Sequence, residues 1–462
     1  MITYNPTYHE IPLKEFNGNP MVEVLNPVPL TADDAFKRLC YRPDFDESER
    51  NLPAVWRKIA AGRLLHFYLP TDQSVEIFES IYSQIIDGYR HRSPRNPTHQ
   101  RSIHGCDELA QRLGVTKGEQ ILRSGTISVI TGLSGLGKST LIKCIMQEIG
   151  KPCYYHTNYR GEPLSTVQIL YLMRNVPDQC SPKAFCSRFT EQAAEFASDF
   201  CNISQTNKDY TRMTRNQHEL NFYKIIKNNY VGALIIDEIQ NLTINGGNDK
   251  KELVQMIHNF RDELGIPIIL IGTYGSIEIF KKHFSLTQRT TEGGYHEIKR
   301  SSHADDEDWQ NFCKILWHYQ WIKDPQKLTT ACIETLYKCS QGITRIALNI
   351  FILCQRLVIG TDRETIDEGL IKSVYNERFK PLHEVISILE SGDEKKMKTY
   401  EELLSKAFDS VSESDPDVET TQNNYERFLR DQAEKHNIID KVRAYQEREY
   451  NVNSEGEIHR KH

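Results

Sequence analysis

One stretch constrains this chain more than any other: ISVITGLSGLGKSTLIKCI, Ile127 to Ile145. Gly132, Gly137, Lys138 and Ser139 stand there in the spacing G-x-x-x-x-G-K-[ST]. A β-branched apolar run precedes the glycines. An amphipathic run follows, with Leu141, Ile142, Ile145 and Ile149 on one side and Gly150 as its stop. The pattern predicts a strand, a tight loop and a helix in series. Glycines in such a loop let backbone N–H groups turn toward an anion, and the helix N-terminus adds the positive end of its dipole. Lys138 is expected to reach the outer phosphates of a nucleotide and Ser139 to ligate Mg2+. Gly132, Gly135, Gly137 and Thr140 complete the expected cradle.

A phosphate loop needs a second group to do chemistry. In ALIIDE, Asp237 and Glu238 follow a continuous apolar run, the pattern of a central parallel strand. Ligands of open α/β sheets bind at the C-terminal edge of the strands. An aspartate at that edge holds the metal's water shell. The adjacent glutamate can orient and polarise an attacking water, which points to hydrolysis of ATP rather than transfer to a bound acceptor. Thr273 ends a third apolar run, IPIILIGT, and reads equally as a sensor of the outer phosphate or as a strand-end cap.

Strand and helix patterns alternate through this region, so a parallel sheet with helices on its faces is the economical fold. KPCYYHTNY reads as a second strand. STVQILYLMRNV, PKAFCSRFTEQAAEFASDF, RNQHELNFYKIIKNN and DKKELVQMIHNFRDELG read as helices. Upstream, TDQSVEIFESIYSQIIDGY places Val75, Phe78, Ile81, Tyr82 and Ile85 on one helical face, with Thr71 or Asp72 as its cap. HGCDELAQRLG reads as a short helix. After Arg300 the strands stop, and ADDEDWQNFCKILWHYQ, KLTTACIETLYKCS, GITRIALNIFILCQRLVIG and TIDEGLIKSVYNERF give successive helices. Beyond about residue 380 the chain turns polar and acidic, with one last helical pattern in NYERFLRDQAEKHNIIDKVRAYQEREY.

Composition narrows the setting. Hydrophobic residues make up 39% and charged residues 26% of the 462, which is globular in character. No apolar run approaches the ~20 residues that span a bilayer, and the N-terminus lacks a charged start followed by an apolar block. A cytoplasmic protein with no membrane partner is the expectation. The 11 cysteines form no C-x-x-C pair, which fits reduced buried thiols, and no Cys/His spacing of a structural metal site is present. The net charge of −6 excludes a uniformly basic nucleic-acid binder but leaves room for a local basic strip. Candidates are Arg160 in TNYRGEP, Lys208, Arg212 and Arg215 in NKDYTRMTR, and the basic run YRHRSPRNPTHQR; each can track phosphates without reading bases.

GLSGLGKST, LIIDEIQNL, IPIILIGT and GITRIALNIF together resemble the AAA+ ATPases. More narrowly they resemble the TnsC/TniB group, the ATP-dependent regulators of Tn-seven-like transposons. FYLPTDQSVEIFESIYSQIIDGYRHRSPRNP resembles the N-terminal region of that group, so the resemblance covers roughly residues 65–375. It implies an α/β AAA+ P-loop NTPase core with a parallel sheet and flanking helices, followed by a small all-helical lid. The implied divisions are 1–64, an N-terminal segment; 65–120, a helical region; 121–300, the ATPase core; 301–380, the lid; and 381–462, a polar tail that is a candidate partner-docking segment. The resemblance also implies roles: Lys138 and Ser139 in Walker A, Asp237 and Glu238 in Walker B, Thr273 as first sensor, and Arg345 as the lid's sensor-two arginine. An arginine finger acting on a neighbouring copy's nucleotide is assigned to Arg289, with Arg300 second; LTQRTTEGG departs from the usual apolar-flanked pattern. ATP and Mg2+ are the implied cofactors. Implied partners are double-stranded DNA, further copies in a ring or helical filament, transposase subunits, and a target-selection protein such as a CRISPR-associated complex. A STAND-type signalling scaffold and a helicase loader are the alternative readings.

Overall fold

The computed structural model describes residues 4–29, 31–97, 99–100, 125–177, 181–197, 213–244, 248–274, 293–391, 450–452 and 458–460. Its centre is a five-stranded parallel sheet. The chain enters through α1 (Pro20–Glu23), α2 (Ala32–Leu39), α3 (Ala54–Ala61) and α4 (Asp72–Tyr89), then forms β1 (Ile127–Gly132) and α5 (Lys138–Ile149). Next come β2 (Cys153–Tyr159), β3 (Glu162–Ile169), β4 (Tyr171–Asn175), α6 (Pro182–Ala197), α7 (Arg215–Asn228), β5 (Ala233–Asp237), α8 (Asn248–Leu264), β6 (Ile268–Ile271) and β7 (Tyr295–Ile298). The strand order is β4-β5-β6-β1-β7, and every pairing in it is parallel.

The apolar runs are continuous because both sheet faces are covered. Leu234 and Ile236 of β5 point into a core shared with Phe185 and Phe189 of α6, Phe222 of α7 and Phe260 of α8. Their neighbours Ala233 and Ile235 point the other way, against Leu141 and Ile145 of α5 and Phe78 and Ile81 of α4. On α4 all five expected apolar positions are buried, and Thr71 caps the helix, its N–H donating to Ser74 Oγ at 3.0 Å.

Two elements differ from the sequence reading. KPCYYHTNY is a strand but not part of the parallel sheet; β2 pairs antiparallel with β3 in a separate hairpin. STVQILYLMRNV, expected as a helix, is instead β3 followed by β4 at the sheet's edge. Its apolar residues satisfy a helical repeat as well as a strand one. The choice falls to strand because Tyr171–Asn175 align residue for residue with Ala233–Asp237, a partner remote in sequence. β7 comes from a polar stretch with no apolar run to announce it and is held by β1 on one side. At the far end, Tyr450–Val452 (β8) pairs antiparallel with Ile458–Arg460 (β9), so Tyr450 ends in a strand rather than in the expected helix. The HGCDELAQRLG segment and the rest of that C-terminal helix lie outside the described residues.

A helical lid follows: α9 (Glu307–His318), α10 (Thr330–Ser340), α11 (Thr344–Val358), α12 (Glu368–Arg378) and α13 (His383–Ser391). Its core takes in Trp309, Trp321, Phe351 and, past residue 380, Val385, Ile386 and Leu389. It also takes in side chains from elsewhere: Ala60, Ala61, Leu64 and Phe67 of the N-terminal region, and Leu133 and Leu136 of the glycine loop. No helix among the described residues is long and apolar enough to cross a membrane.

The N-terminal segment shows weak periodicity because it is a strap, not a domain with its own centre. Phe16, Met21, Val22 and Leu25 pack into the core shared by α4 and α5. Burying four such side chains is worth roughly 6–12 kcal/mol as an upper bound. Farther along, the strap changes partner. Arg57 is buried, and its guanidinium grips both carboxylate oxygens of Glu364 and donates to Trp321 O at 3.0 Å. The Arg57 guanidinium pushes the Glu364 carboxyl down to about 2, helped by the Gly360 and Lys323 N–H groups, and outweighs the opposing effect of burial.

Candidate active site

The glycine loop runs from the end of β1 to the first turn of α5. Gly132 has φ 152°, and a Cβ there would lie 2.4 Å from Ile298 O of β7. Gly137 is the left-handed N-cap of α5 at φ 86°, and a Cβ there would touch the Tyr68 ring at 3.2 Å. Both places need glycine, one for space and both for backbone angle. Lys138 opens α5, is buried, and donates from Nζ to Gly132 O and Leu133 O, both at 2.9 Å. Its ammonium is thereby folded back over the loop. Ser139 and Thr140 follow it in the first helical turn, both half-buried.

Across the sheet edge, β5 delivers Asp237 and Glu238. Asp237 is buried, and its Oδ1 accepts the Glu238 N–H at 2.8 Å. Glu238 sits at φ 55°, a left-handed conformation that is uncommon for a non-glycine residue and recurrent at functional sites. Burial raises its carboxyl above the usual range and Asp237 adds to this; Lys138, Gln240 and Arg345 pull the other way. The field of Lys138 and Arg345 at Glu238 places the expected loop lysine, acid and lid arginine around one centre. Thr273 is buried at the end of β6, where the sequence put it.

The lid meets the loop directly. Arg345 N–H donates to Gly135 O at 3.1 Å, and Thr344 Oγ donates to the same oxygen at 3.2 Å. The N-terminal turn of α11 thus sits on the phosphate loop, with Arg345 exposed beside it.

The sequence reading missed two residues. Gln240 donates from Nε2 to Glu238 Oε2, while its Oε1 accepts the Thr273 N–H at 3.3 Å. Tyr68 lies under Gly137 and bonds Ser74 through its hydroxyl at 3.1 Å. Gln240 was visible in LIIDEIQNL as a polar residue two past the acid; nothing local marks Tyr68.

The other expected positions are scattered. Arg160 occupies the turn between β2 and β3 at φ 52° and donates to the buried Glu23 at 2.6 Å. Arg215 opens α7 and pairs with Glu252. Arg300 is held within its own lid, donating to Gln341 O at 2.8 Å and to Tyr337 Oη at 3.2 Å. Arg289, Lys208 and Arg212 lie outside the described residues.

A strand, a glycine loop and a helix at the C-terminal edge of a parallel sheet, with an acidic pair two strands away, define a P-loop nucleotide site. Residues 121–280 match the family model described as an AAA domain. This part of the chain is an AAA-family P-loop ATPase domain, and the strand order with its helical follow-on is the AAA+ arrangement. No curated protein matches the chain. Among solved structures, it is similar to the RuvB Holliday junction branch migration motor of Thermotoga maritima, at 15% identity over 61% of this chain and 70% of that one, TM-score 0.31. The ORC1 protein of Aeropyrum pernix, solved in complex with DNA, gives 15% identity, 68% and 78% coverage and TM-score 0.37. A Walker-type ATPase of Pyrococcus abyssi gives 17% identity, 62% and 74% coverage and TM-score 0.36.

The donor set suits Mg-ATP: a serine hydroxyl and a carboxylate are the hard oxygen ligands magnesium takes, beside a lysine that suits phosphates. Ser139 and Asp237 are the residues to hold the metal, and the metal would neutralise phosphate charge. Lys138 and the loop N–H groups bind and orient the phosphates. Glu238, held at a strained backbone position, is the group to orient water.

Proposed function

We propose that this chain is an ATP-dependent regulator of DNA transposition. It assembles on double-stranded target DNA as a ring or helical filament, uses ATP hydrolysis as an assembly switch, and links a target-selection protein to the transposase. The observation that carries the switch is the contact of α11 with Gly135, reinforced by Leu133 and Leu136 buried in the lid core. A change at the phosphates therefore reaches the lid with no intervening element. Swinging a population from mostly apart to mostly assembled needs about 5.5 kcal/mol of differential binding, which a γ-phosphate, Mg2+ and an inserted arginine from a neighbouring copy can supply.

The role in transposition is supported by the resemblance of residues 65–375 to the TnsC/TniB group. Arg289 is the proposed finger, Thr273 and Arg345 the proposed sensors. Arg160, Lys208, Arg212 and Arg215 are the proposed DNA contacts, and residues 381–462 the proposed docking segment for transposase subunits. Arg160 and Arg215 each neutralise an acid within the chain, so phosphate contact by either draws on a shared charge.

Negative-stain imaging of the purified chain with a DNA duplex, with and without a non-hydrolysable ATP analogue, tests this directly. Filaments or rings that need both additions support the proposal; single particles under every condition overturn it. Glu238→Gln is expected to bind ATP, turn over about 100-fold more slowly, and hold the assembly. Slow turnover with stable assemblies separates a switch from a motor. Deleting residues after 410 is expected to abolish transposase recruitment and leave assembly intact; unchanged recruitment removes the tail from the proposal.

A further inference from the structure

The turn after β5 is pinned along its backbone. Val176 N–H donates to Asp237 O at 2.9 Å, Ile239 N–H to Ile271 O at 3.1 Å, and Asn241 N–H to Glu238 O at 3.0 Å. These bonds fix where the Glu238 backbone lies and account for its positive φ. They leave the carboxylate itself free to rotate about the side-chain torsions. The group that takes hold of the carboxylate is Gln240, whose amide nitrogen donates to Oε2. The same amide's oxygen accepts the main-chain N–H of Thr273, at the end of the neighbouring strand. A planar amide cannot turn one end without turning the other. The aim of the Glu238 carboxylate and the position of the β6 end are therefore one geometric variable, carried by one side chain.

We propose that Gln240 is a positioning residue for ATP hydrolysis. Its amide aims the Glu238 carboxylate at the attacking water and ties that aim to the Thr273 main chain. This rests on the reading of the site as an ATPase. Gln240 does not touch the nucleotide in this account; it acts through Glu238. Both ends of the amide matter, because the acceptor end holds the donor end in place. Glutamine suits the task because its two ends have opposite polarity at a fixed separation. Glutamate keeps the acceptor but loses the donor and sets a carboxylate against a carboxylate. Leucine keeps the bulk and loses both ends.

The test is steady-state phosphate release by the full chain, with kcat and KM for ATP measured separately, in two backgrounds. Gln240→Leu is expected to lower kcat about ten-fold and Gln240→Glu about 100-fold, with KM within about two-fold of wild type. In a Glu238→Gln background, where there is no carboxylate to aim, Gln240→Leu is expected to change the residual kcat by less than about two-fold. A loss of kcat that disappears in that background supports the proposal, and a merely structural role does not produce it. Unchanged kcat in both Gln240 variants overturns it. So does a raised KM at constant kcat, or an equal loss in both backgrounds. Since Gln240→Glu retains the Thr273 acceptor, full activity in that variant also overturns the aiming role. These failures leave the ATPase reading standing. Wild-type turnover in Glu238→Gln alone removes Glu238 from the reaction, and the proposal with it.

Discussion

The glycine loop and the N-terminal strap both join the ATPase sheet to the lid, but they are built from different materials. The loop does it with main chain: Gly135 O receives the lid's Arg345 and Thr344, and Lys138 closes on two loop carbonyls. The strap does it with side chains: Phe16, Met21, Val22 and Leu25 fill the core under the sheet, and Arg57 holds Glu364 inside the lid. A main-chain joint responds to an anion placed among its N–H groups. A joint of buried side chains responds to nothing short of unfolding. The first suits a switch and the second suits a hinge post that stays put while the switch moves. Tyr68, which leaves the strap to lie under Gly137, is where the two meet.

The largest expected effect comes from breaking the strap. Arg57→Ala leaves Glu364 buried without its guanidinium and is expected to cost about 3–5 kcal/mol, read as a lowered Tm, while nucleotide affinity of the folded fraction holds. A Tm within a degree or two of wild type removes the hinge-post role. Next is the reverse case at the loop. Lys138→Ala is expected to weaken ATP at least 100-fold, about 2.7 kcal/mol, in calorimetric titration, with the Tm of the nucleotide-free chain little changed. If both variants move both readouts together, the two joints are one unit and the contrast fails.

The third prediction sharpens the strap by pH. Glu364 is held at about 2 in the fold against an ordinary 4.5, so its contribution is complete above about pH 4.5 and is lost as pH falls toward 2. Glu364→Gln is accordingly expected to be about 2–3 kcal/mol less stable than wild type at neutral pH. The gap should close on acidification through that window, followed by denaturant titration at each pH. A gap independent of pH places the cost in packing rather than in charge. The smallest effect is at the strap's outer end. There Arg160→Ala leaves Glu23 still accepting from Gly18 N–H and Tyr159 Oη, both at 2.8 Å, and is expected to cost about 1 kcal/mol. Duplex affinity measured alongside separates that structural loss from any DNA contact.

The legibility of the two joints differs as their materials do. Gly132, Gly137, Lys138, Asp237, Glu238 and Thr273 were readable because a phosphate site demands particular residues at fixed local spacing, and β1 and β5 announce themselves by continuous apolar runs. The strap was not, because Arg57 and Glu364 are 307 positions apart and each alone looks like an ordinary surface charge. Gln240 falls between: it was in view beside the acid, but its importance depends on Thr273 arriving from another strand. STVQILYLMRNV misled for the same reason, since its pattern fits two periods and only pairing with Ala233–Asp237 selects one.

By itself, then, the sequence determined the loop, the acids and the alternation of strand and helix, because these follow from steric and hydrogen-bonding demands acting within a few residues. Tertiary structure decided which strands enter the parallel sheet, which charges are buried, and which lid turn rests on Gly135. Those outcomes are set by contacts between segments distant along the chain, where a residue's partner, not its identity, fixes what it does.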